Sequence, residues 1–196
     1  MGDPAERVPT FEELRAAIEA LPETLTAEIL EPGVISTMSR PGGKHRFTQR
    51  RIVRALGSAD EGDGGRGWWL ENEPAIRFPL ERLLVPDVAG WRAPDEVPPA
   101  FVDENPILVL PHFACEILSR STQRDDRRVK LPLYASSGVE HVWLVDPELR
   151  LIEVYESRSG APVQIATARD ADVVTLAPFA FEIDLAAWWK PAPRAR

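Results

Sequence analysis

Helical spacing of apolar residues dominates two stretches near the start of the chain. Residues 10–21 begin with the capping-box pattern TFEE and then place leucine and isoleucine three or four positions apart. Residues 45–56 show the same spacing and are followed by Gly57. The alternation in residues 28–35, with Gly33 at its centre, predicts a strand, a turn and a second strand. The pattern therefore predicts a helix, a hairpin and a second helix.

Short apolar runs typical of strands fill most of the remaining chain. One predicted helix interrupts them; Ser121 or Thr122 would cap it, Pro132 would kink or shorten it, and Gly138 would end it. A second predicted helix, short and terminal, covers residues 181–189. The predicted strands are residues 67–70, 75–78, 83–91, 107–110, 113–118, 141–146, 150–156, 163–167 and 173–176.

This order of elements predicts an α+β (mixed α/β) fold. A length of 196 residues suits one domain with a substantial core, so we predict a single domain over residues 1–196. Within it, residues 1–27 would be a lead-in with one helix, residues 28–189 the core, and residues 190–196 a frayed tail.

Composition points to a cytoplasmic protein. The one cysteine, Cys115, excludes an intramolecular disulfide and favours a reducing compartment. The first residues lack the basic and apolar regions of a secretory signal, and no apolar run reaches the roughly 18 residues that a membrane helix needs. We therefore expect no membrane association.

Charge is unevenly distributed along the chain. The net charge is -8, but residues 40–54 contain six Lys or Arg and no acid, and residues 120–130 contain five Lys or Arg and two acids. Two basic segments on an acidic background can attract a phosphate backbone locally. The alternative is that they are two solvated helix faces.

Two acidic residues lie inside apolar runs. Asp87 follows Pro86 in residues 83–89, and Glu116 interrupts the apolar residues 113–118. An ionised carboxylate is costly to bury unless a cation meets it. Two such acids on two strands, followed by Lys130 on a helix, are typical of a divalent-cation site with a cationic helper. Each acid alone also has a structural explanation, as a turn residue or as the partner of an arginine.

These acids belong to a longer set of motifs that resembles a known family. VPD at residues 85–87, CEILSRST at residues 115–122 and WLVDP at residues 143–147 are similar to the Uma family of restriction-endonuclease-like proteins, in the PD-(D/E)XK nuclease superfamily. Further residues carry the resemblance within residues 28–188: Asp125, Lys130, Tyr134, Gly138 and Val139.

The resemblance implies a curved mixed sheet flanked by helices and a Mg²⁺-dependent endonuclease acting on DNA, with Mn²⁺ as a substitute ion. It implies that Asp87 and Glu116 hold the metal and that Glu28 is a further catalytic acid. The superfamily lysine would stand at Leu118, so the resemblance moves its catalytic role to Lys130. The rival hypothesis is a catalytically weak or inactive nuclease-fold protein that serves as a nucleic-acid-binding or partner subunit.

Basic residues near this predicted site are candidates for nucleic-acid binding. Arg46, Arg50 and Arg54 are one helical turn apart, and Arg124 lies on the predicted helix after Glu116. His45 would either contact phosphate or make a local hydrogen bond at the helix start. The predicted hairpin from His141 to Glu156 and the tryptophan pairs at residues 68–69 and 188–189 offer more apolar edge than a small monomer normally exposes, so we expect a homodimer.

Overall fold

The computed structural model describes residues 7–62, 64–93 and 104–189, and it builds them from short strands and helices. The α-helices α1 to α4 are Phe11–Glu19, Gly43–Leu56, Gln123–Asp125 and Leu131–Ser137. The strands β1 to β12 are Leu25–Glu31, Val34–Ser39, Trp68–Asn72, Ile76–Phe78, Arg82–Leu84, Val88–Arg92, Phe113–Ile117, His141–Asp146, Leu151–Arg158, Ala161–Arg169, Val173–Thr175 and Glu182–Asp184. No described helix has the length and apolar character needed to cross a bilayer.

Two sheets share the central part of the fold. The larger has the strand order β10-β9-β8-β7-β6-β3, with β7 and β8 parallel and the other pairs antiparallel. The smaller is antiparallel with the order β2-β1-β5-β4. A two-stranded sheet joins β11 to β12. This mixed arrangement confirms the predicted α+β class.

Side-chain alternation along β7 divides the core into two layers. Cys115 points into one cluster, which also contains Ile52 of α2 and Trp143. Ala114 points into the other, which contains Tyr134 of α4. Helices α2 and α4 therefore cover opposite faces of the larger sheet, and Glu116 is buried on the face opposite Cys115, as the alternation predicts.

The helix that begins after Thr122 differs from its prediction. Thr122 precedes α3 without a side-chain capping bond, so the capping prediction is wrong; its own N–H instead donates to Ser119 Oγ. The helix does not stop at Pro132, because a π-helical turn over Asp126–Lys130 links α3 to α4. In that turn the N–H of Leu131 donates to Asp126 O, five residues back. As predicted, α4 ends at Gly138, whose φ of 101° suits glycine.

Three predicted β or helical segments also need correction. The predicted strand 83–91 is two strands, β5 and β6, with a break at 85–87, where Pro86 has no N–H for a ladder. Residues 107–110 form only an isolated bridge, between Ile107 and Ile76. The predicted terminal helix 181–189 is strand β12 followed by a 3₁₀ turn over Leu185–Trp188.

Candidate active site

The break between β5 and β6 carries the chain from the smaller sheet to the larger one, and a cavity of about 160 Å³ lies at this junction. Its lining contains the four residues predicted to be catalytic: Glu28, Asp87, Glu116 and Lys130. Glu28 lies on β1, Asp87 immediately precedes β6, and Glu116 lies on β7. The fold therefore joins side chains from both sheets and from the π-helical turn.

Lys130 lies at the centre of a buried cluster of carboxylates. Its Nζ is 2.9 Å from Glu28 Oε2, 3.4 Å from Glu116 Oε1 and 3.3 Å from Asp126 Oδ1. Each of the four residues is at least 95% buried, with exposures of 2% to 4%. The single ammonium group of Lys130 is therefore the direct counter-charge for three largely buried acids.

Burial and mutual repulsion alter the proton affinities of this cluster. Burial raises the pKa of Glu116 well above its ordinary value of 4.5; Lys130 opposes the shift, and neighbouring acids add to it. The pKa of Glu28 and that of Asp126 are also raised by burial. Burial alone would lower the pKa of Lys130, but the surrounding carboxylates raise it well above 10.5. The surrounding carboxylates therefore favour the charged form of Lys130.

Tyr134 completes the surroundings of Glu116. Its fully buried hydroxyl donates to Glu116 Oε1 at 2.5 Å, and the backbone N–H of Val85 donates to Glu28 Oε1 at 2.8 Å. Glu116 and Glu28 therefore each have one carboxylate oxygen held by a neutral donor, and each also contacts Lys130. These bonds hold the two side chains in defined orientations.

Asp87 is held separately, at the side of the cavity next to α2. The backbone N–H of Ile117 donates to Asp87 Oδ2 at 2.6 Å. His45 Nε2 lies 3.0 Å from Oδ1 and 3.1 Å from Oδ2 of the same carboxylate. Asp87 is thus tied to the strand that carries Glu116 and to the first turn of α2.

Asp126 lines the cavity and was not predicted from the sequence. The family motif was matched at Asp125, but Asp125 is exposed, whereas Asp126 is buried, contacts Lys130 and lines the cavity. The available signal was the spacing of four residues between Asp126 and Lys130, which places the two side chains on one helical face. Arg40, which lies at the cavity after β2, was also missed.

The predicted nucleic-acid-binding arginines lie outside the cavity. Arg46, Arg50, Arg54 and Arg124 are exposed, and none belongs to the cavity lining. Arg46 reaches toward the rim, since its Nη1 donates to the carbonyl of Pro41 at 3.1 Å. Helix α2 itself borders the cavity through His45, and the segment after Glu116 borders it through Thr122. Both basic segments therefore flank the acidic cluster.

The donor chemistry of the cavity fits a hard divalent cation. Mg²⁺ prefers oxygen ligands, retains several waters and is commonly held by one or two carboxylates. Five acidic residues line the cavity: Glu28, Glu73, Asp87, Glu116 and Asp126. The described residues contain no group of three or more His, Cys, Asp or Glu arranged to hold a metal ion. A pair of carboxylates is therefore the donor set to consider, and Asp87 with Glu116 is the predicted pair.

Glu73 also lines the cavity. It has a positive φ of 51°, and its backbone N–H donates to Asp87 O at 3.2 Å. Residues held in this conformation cluster at functional sites. A structural role, in supporting the backbone at Asp87, accounts for these contacts.

Comparison with known proteins gives a family for this architecture. A crystal structure described as "a putative nuclease belonging to DUF820 from Anabaena variabilis" is similar, with a TM-score of 0.67 over 92% of this chain and 97% of that chain. The two chains are 22% identical, so this likeness shows a shared fold. A search of curated proteins finds no match. The sequence profile of the Uma2 family, described as "Putative restriction endonuclease", matches residues 10–187, which supports a nuclease function, and the chain belongs to this family.

Proposed function

We propose that the protein is a metal-dependent endonuclease that hydrolyses phosphodiester bonds in DNA, with Mg²⁺ or Mn²⁺ as its cofactor. The observation that carries this proposal is that Asp87, Glu116 and Lys130, three residues distant in the sequence, line one cavity together with Glu28. Family membership adds support, because the family description names a restriction endonuclease.

In this proposal Asp87 and Glu116 would hold the cation, which would supply a Lewis acid for the phosphate oxygens and assist the attacking water. Water attacks phosphorus, a new P–O bond forms, the P–O bond to the sugar breaks, and the leaving oxygen takes up a proton. Lys130 would offset the negative charge that builds up on the phosphate. Because Lys130 is engaged with three carboxylates, Glu28 is the candidate for accepting the proton of the attacking water.

DNA would approach over the two basic segments that flank the cavity. Exposed arginines on α2 and at Arg124 would contact the phosphate backbone. His45, the other predicted contact on α2, instead has its Nε2 against the Asp87 carboxylate. Arg40 is a further cation at the cavity itself. Such contacts would attract a polyanion despite the net charge of -8.

The rival hypothesis, a nuclease fold that binds nucleic acid without cutting it, has one observation in its favour. Within the described residues no group of three metal-ligating side chains is preassembled. The two hypotheses agree on DNA binding and differ on turnover, so turnover is the property to measure.

A plasmid-nicking assay with Mg²⁺ or Mn²⁺ tests the proposal. We expect the wild type to nick the plasmid and Asp87→Asn to lose the activity, because a ligand carboxylate has been removed. Lys130→Ala should reduce it by about 100- to 1,000-fold, the usual effect of removing one stabilising group from a transition state. The control is Asp125→Asn, which changes an exposed aspartate near the site and should leave nicking unchanged. Binding of DNA without nicking by the wild type would favour the rival.

A further inference from the structure

We propose that His45 is a positioning residue that holds the Asp87 carboxylate in the orientation in which it binds the divalent cation, and that Gln49 assists it by holding the Asp87 backbone. This inference rests on the proposed function, because it assumes that Asp87 is a metal ligand. It gives His45 a role distinct from contact with the nucleic acid.

The two α2 residues hold Asp87 at two different points. His45 Nε2 contacts both carboxylate oxygens, at 3.0 and 3.1 Å. Gln49 Nε2 donates to the Asp87 carbonyl oxygen at 3.1 Å and to Glu73 Oε1 at 3.1 Å. Because His45 and Gln49 are four residues apart, they project from the same face of the helix. One face of α2 therefore fixes both the side chain and the backbone of Asp87.

A third contact makes the orientation of the carboxylate specific. Ile117 N–H donates to Asp87 Oδ2, so this oxygen receives two donors, whereas His45 is the one polar neighbour of Oδ1 among the described residues. Only a protonated Nε2 can donate to a carboxylate, which fixes the imidazole tautomer on that side. Nδ1 has no hydrogen-bond partner among the described residues, so within that part of the chain the ring makes its hydrogen bonds to Asp87. The polar contacts of the His45 ring thus serve to hold the Asp87 carboxylate.

Burial separates His45 from the arginines of the same helix. The His45 side chain is 10% exposed, and the Asp87 side chain it contacts is 12% exposed. Arg46 and Arg50, by contrast, are exposed. An approaching phosphate backbone would meet the arginines first, whereas His45 already uses Nε2 inside the site. The largely buried His45 and the exposed arginines of α2 therefore have different roles in this proposal.

Carboxylates that bind metals are commonly held by hydrogen bonds from neighbouring groups, and loss of such a group lowers metal affinity about 10- to 100-fold. A carboxylate that is free to rotate loses that freedom when it binds a cation, which weakens binding. Fixing Asp87 in advance avoids this loss. We therefore expect His45 to affect cation affinity and to have little effect on DNA affinity when no cation is present.

Isothermal titration of Mn²⁺ into the metal-free protein measures this effect without any catalytic readout. We expect His45→Leu to weaken Mn²⁺ binding about 10-fold or more. His45→Gln keeps an N–H donor at a similar reach and should restore most of the affinity. The matched control is His141→Ala, which removes a half-buried histidine at the start of β8, opposite Phe113 and outside the cavity. It should leave Mn²⁺ affinity unchanged.

A DNA-binding titration in EDTA, with the same variants, separates positioning from phosphate contact. Unchanged DNA affinity in His45→Leu, together with weaker Mn²⁺ binding, supports the inference. Equal Mn²⁺ affinity in the wild type and His45→Leu would overturn it while leaving the proposed function intact. Absence of Mn²⁺ binding by the wild type would overturn the proposed metal dependence and this inference with it. If His45→Leu fails to fold, the same comparison is made with Gln49→Ala, which releases the Asp87 backbone and should also weaken Mn²⁺ binding.

Discussion

At the scale of single residues, the candidate site places acids where their charge is unfavourable. Glu116 is 3% exposed and interacts with other carboxylates, so its pKa is raised in spite of the ammonium group of Lys130. If this site holds a cation as proposed, it would do so at the expense of the stability of the metal-free protein. Its acids should therefore be replaceable with a gain in stability and a loss of function.

Glu116→Gln should be more stable than the wild type at pH 7 in EDTA. A folded-state pKa above 4.5 means that the folded protein binds the proton more tightly than the unfolded chain does. The stability due to this group is therefore fully present below about pH 4.5 and is lost as pH rises through the folded-state pKa. Gln has no charge to bury, so the advantage of the variant should grow from pH 4.5 to pH 8. Thermal unfolding across this range measures it.

Glu148→Gln is the control for this experiment. Glu148 is exposed and its pKa is lowered by Lys44, so the variant should show no gain at pH 7. If Glu116→Gln were less stable than the wild type at every pH, ionised Glu116 would be stabilising and the electrostatic argument would be wrong.

The sequence identified individual site residues where chemistry conflicted with their surroundings. Asp87 and Glu116 were predicted because acids inside apolar runs need an explanation, and the structure places both at one cavity. Glu28 could be predicted only through the family resemblance, since its strand has no comparable signal. Asp126 was missed because Asp125 stands next to it in the sequence. The two differ in which side of the helix they occupy: Asp126 is on the buried side and Asp125 on the exposed side.

At the scale of elements, chain breaks rather than regular structure create the site. The interruption between β5 and β6 presents Asp87, and the π-helical turn before Pro132 presents Asp126 and Lys130 on one side. Regular periodicity predicted the positions of α2, β7 and β8 closely. It could not predict either irregularity, because a proline indicates that a pattern is interrupted without indicating which alternative hydrogen bonding replaces it.

Helix α2 leads to a prediction about DNA binding. Replacing Arg46, Arg50 and Arg54 by Ala should weaken DNA binding by similar factors for unrelated sequences, because contacts to phosphate carry no sequence information. The dependence of affinity on salt should also become less steep, since fewer counterions are released. Binding titrations at several salt concentrations, with two unrelated duplexes, measure both effects. Folding should be nearly unchanged, because these side chains are exposed.

Arg150→Ala and Arg169→Ala are controls, since these exposed arginines flank the β9–β10 hairpin rather than the cavity. If the triple variant bound DNA as tightly as the wild type, with the same salt dependence, α2 would not be a DNA-binding surface. The outcome does not depend on cleavage, so it applies equally to the rival binding protein.

At the scale of the whole molecule, the surface predicted to support a homodimer needs revision. The hairpin from His141 to Glu156 lies inside the larger sheet between β7 and β10, and is not an edge. Trp68, Trp188 and Trp189 are buried in the core, which leaves Trp69 as the exposed member of the two pairs. The outer strand β10 contains Pro162 and an irregularity near residue 165, features that discourage strand pairing between molecules.

Two exposed leucines lie together near the β4–β5 turn. Leu80 is 70% exposed and Leu108 is 57% exposed, and together with Leu110 they line one shallow depression. Leu80 has a positive φ of 62°, an uncommon conformation for a bulky residue. Adjacent exposed leucines on a monomer are typical of an interaction surface. We therefore keep the prediction of a homodimer and assign its contact to this leucine surface.

Light scattering during size-exclusion chromatography tests this assignment. At micromolar concentration we expect twice the mass of one 21.8 kDa chain for the wild type and a single-chain mass for Leu80→Lys/Leu108→Lys. A lysine at the centre of an apolar contact has to be desolvated without a partner, which opposes association. Val173→Lys is the matched control, because Val173 is 60% exposed but lies on β11, away from the leucine surface. It should remain a dimer. A single-chain mass for the wild type would contradict the homodimer itself, whereas a dimer that survives the double substitution would show that the chains meet through another surface.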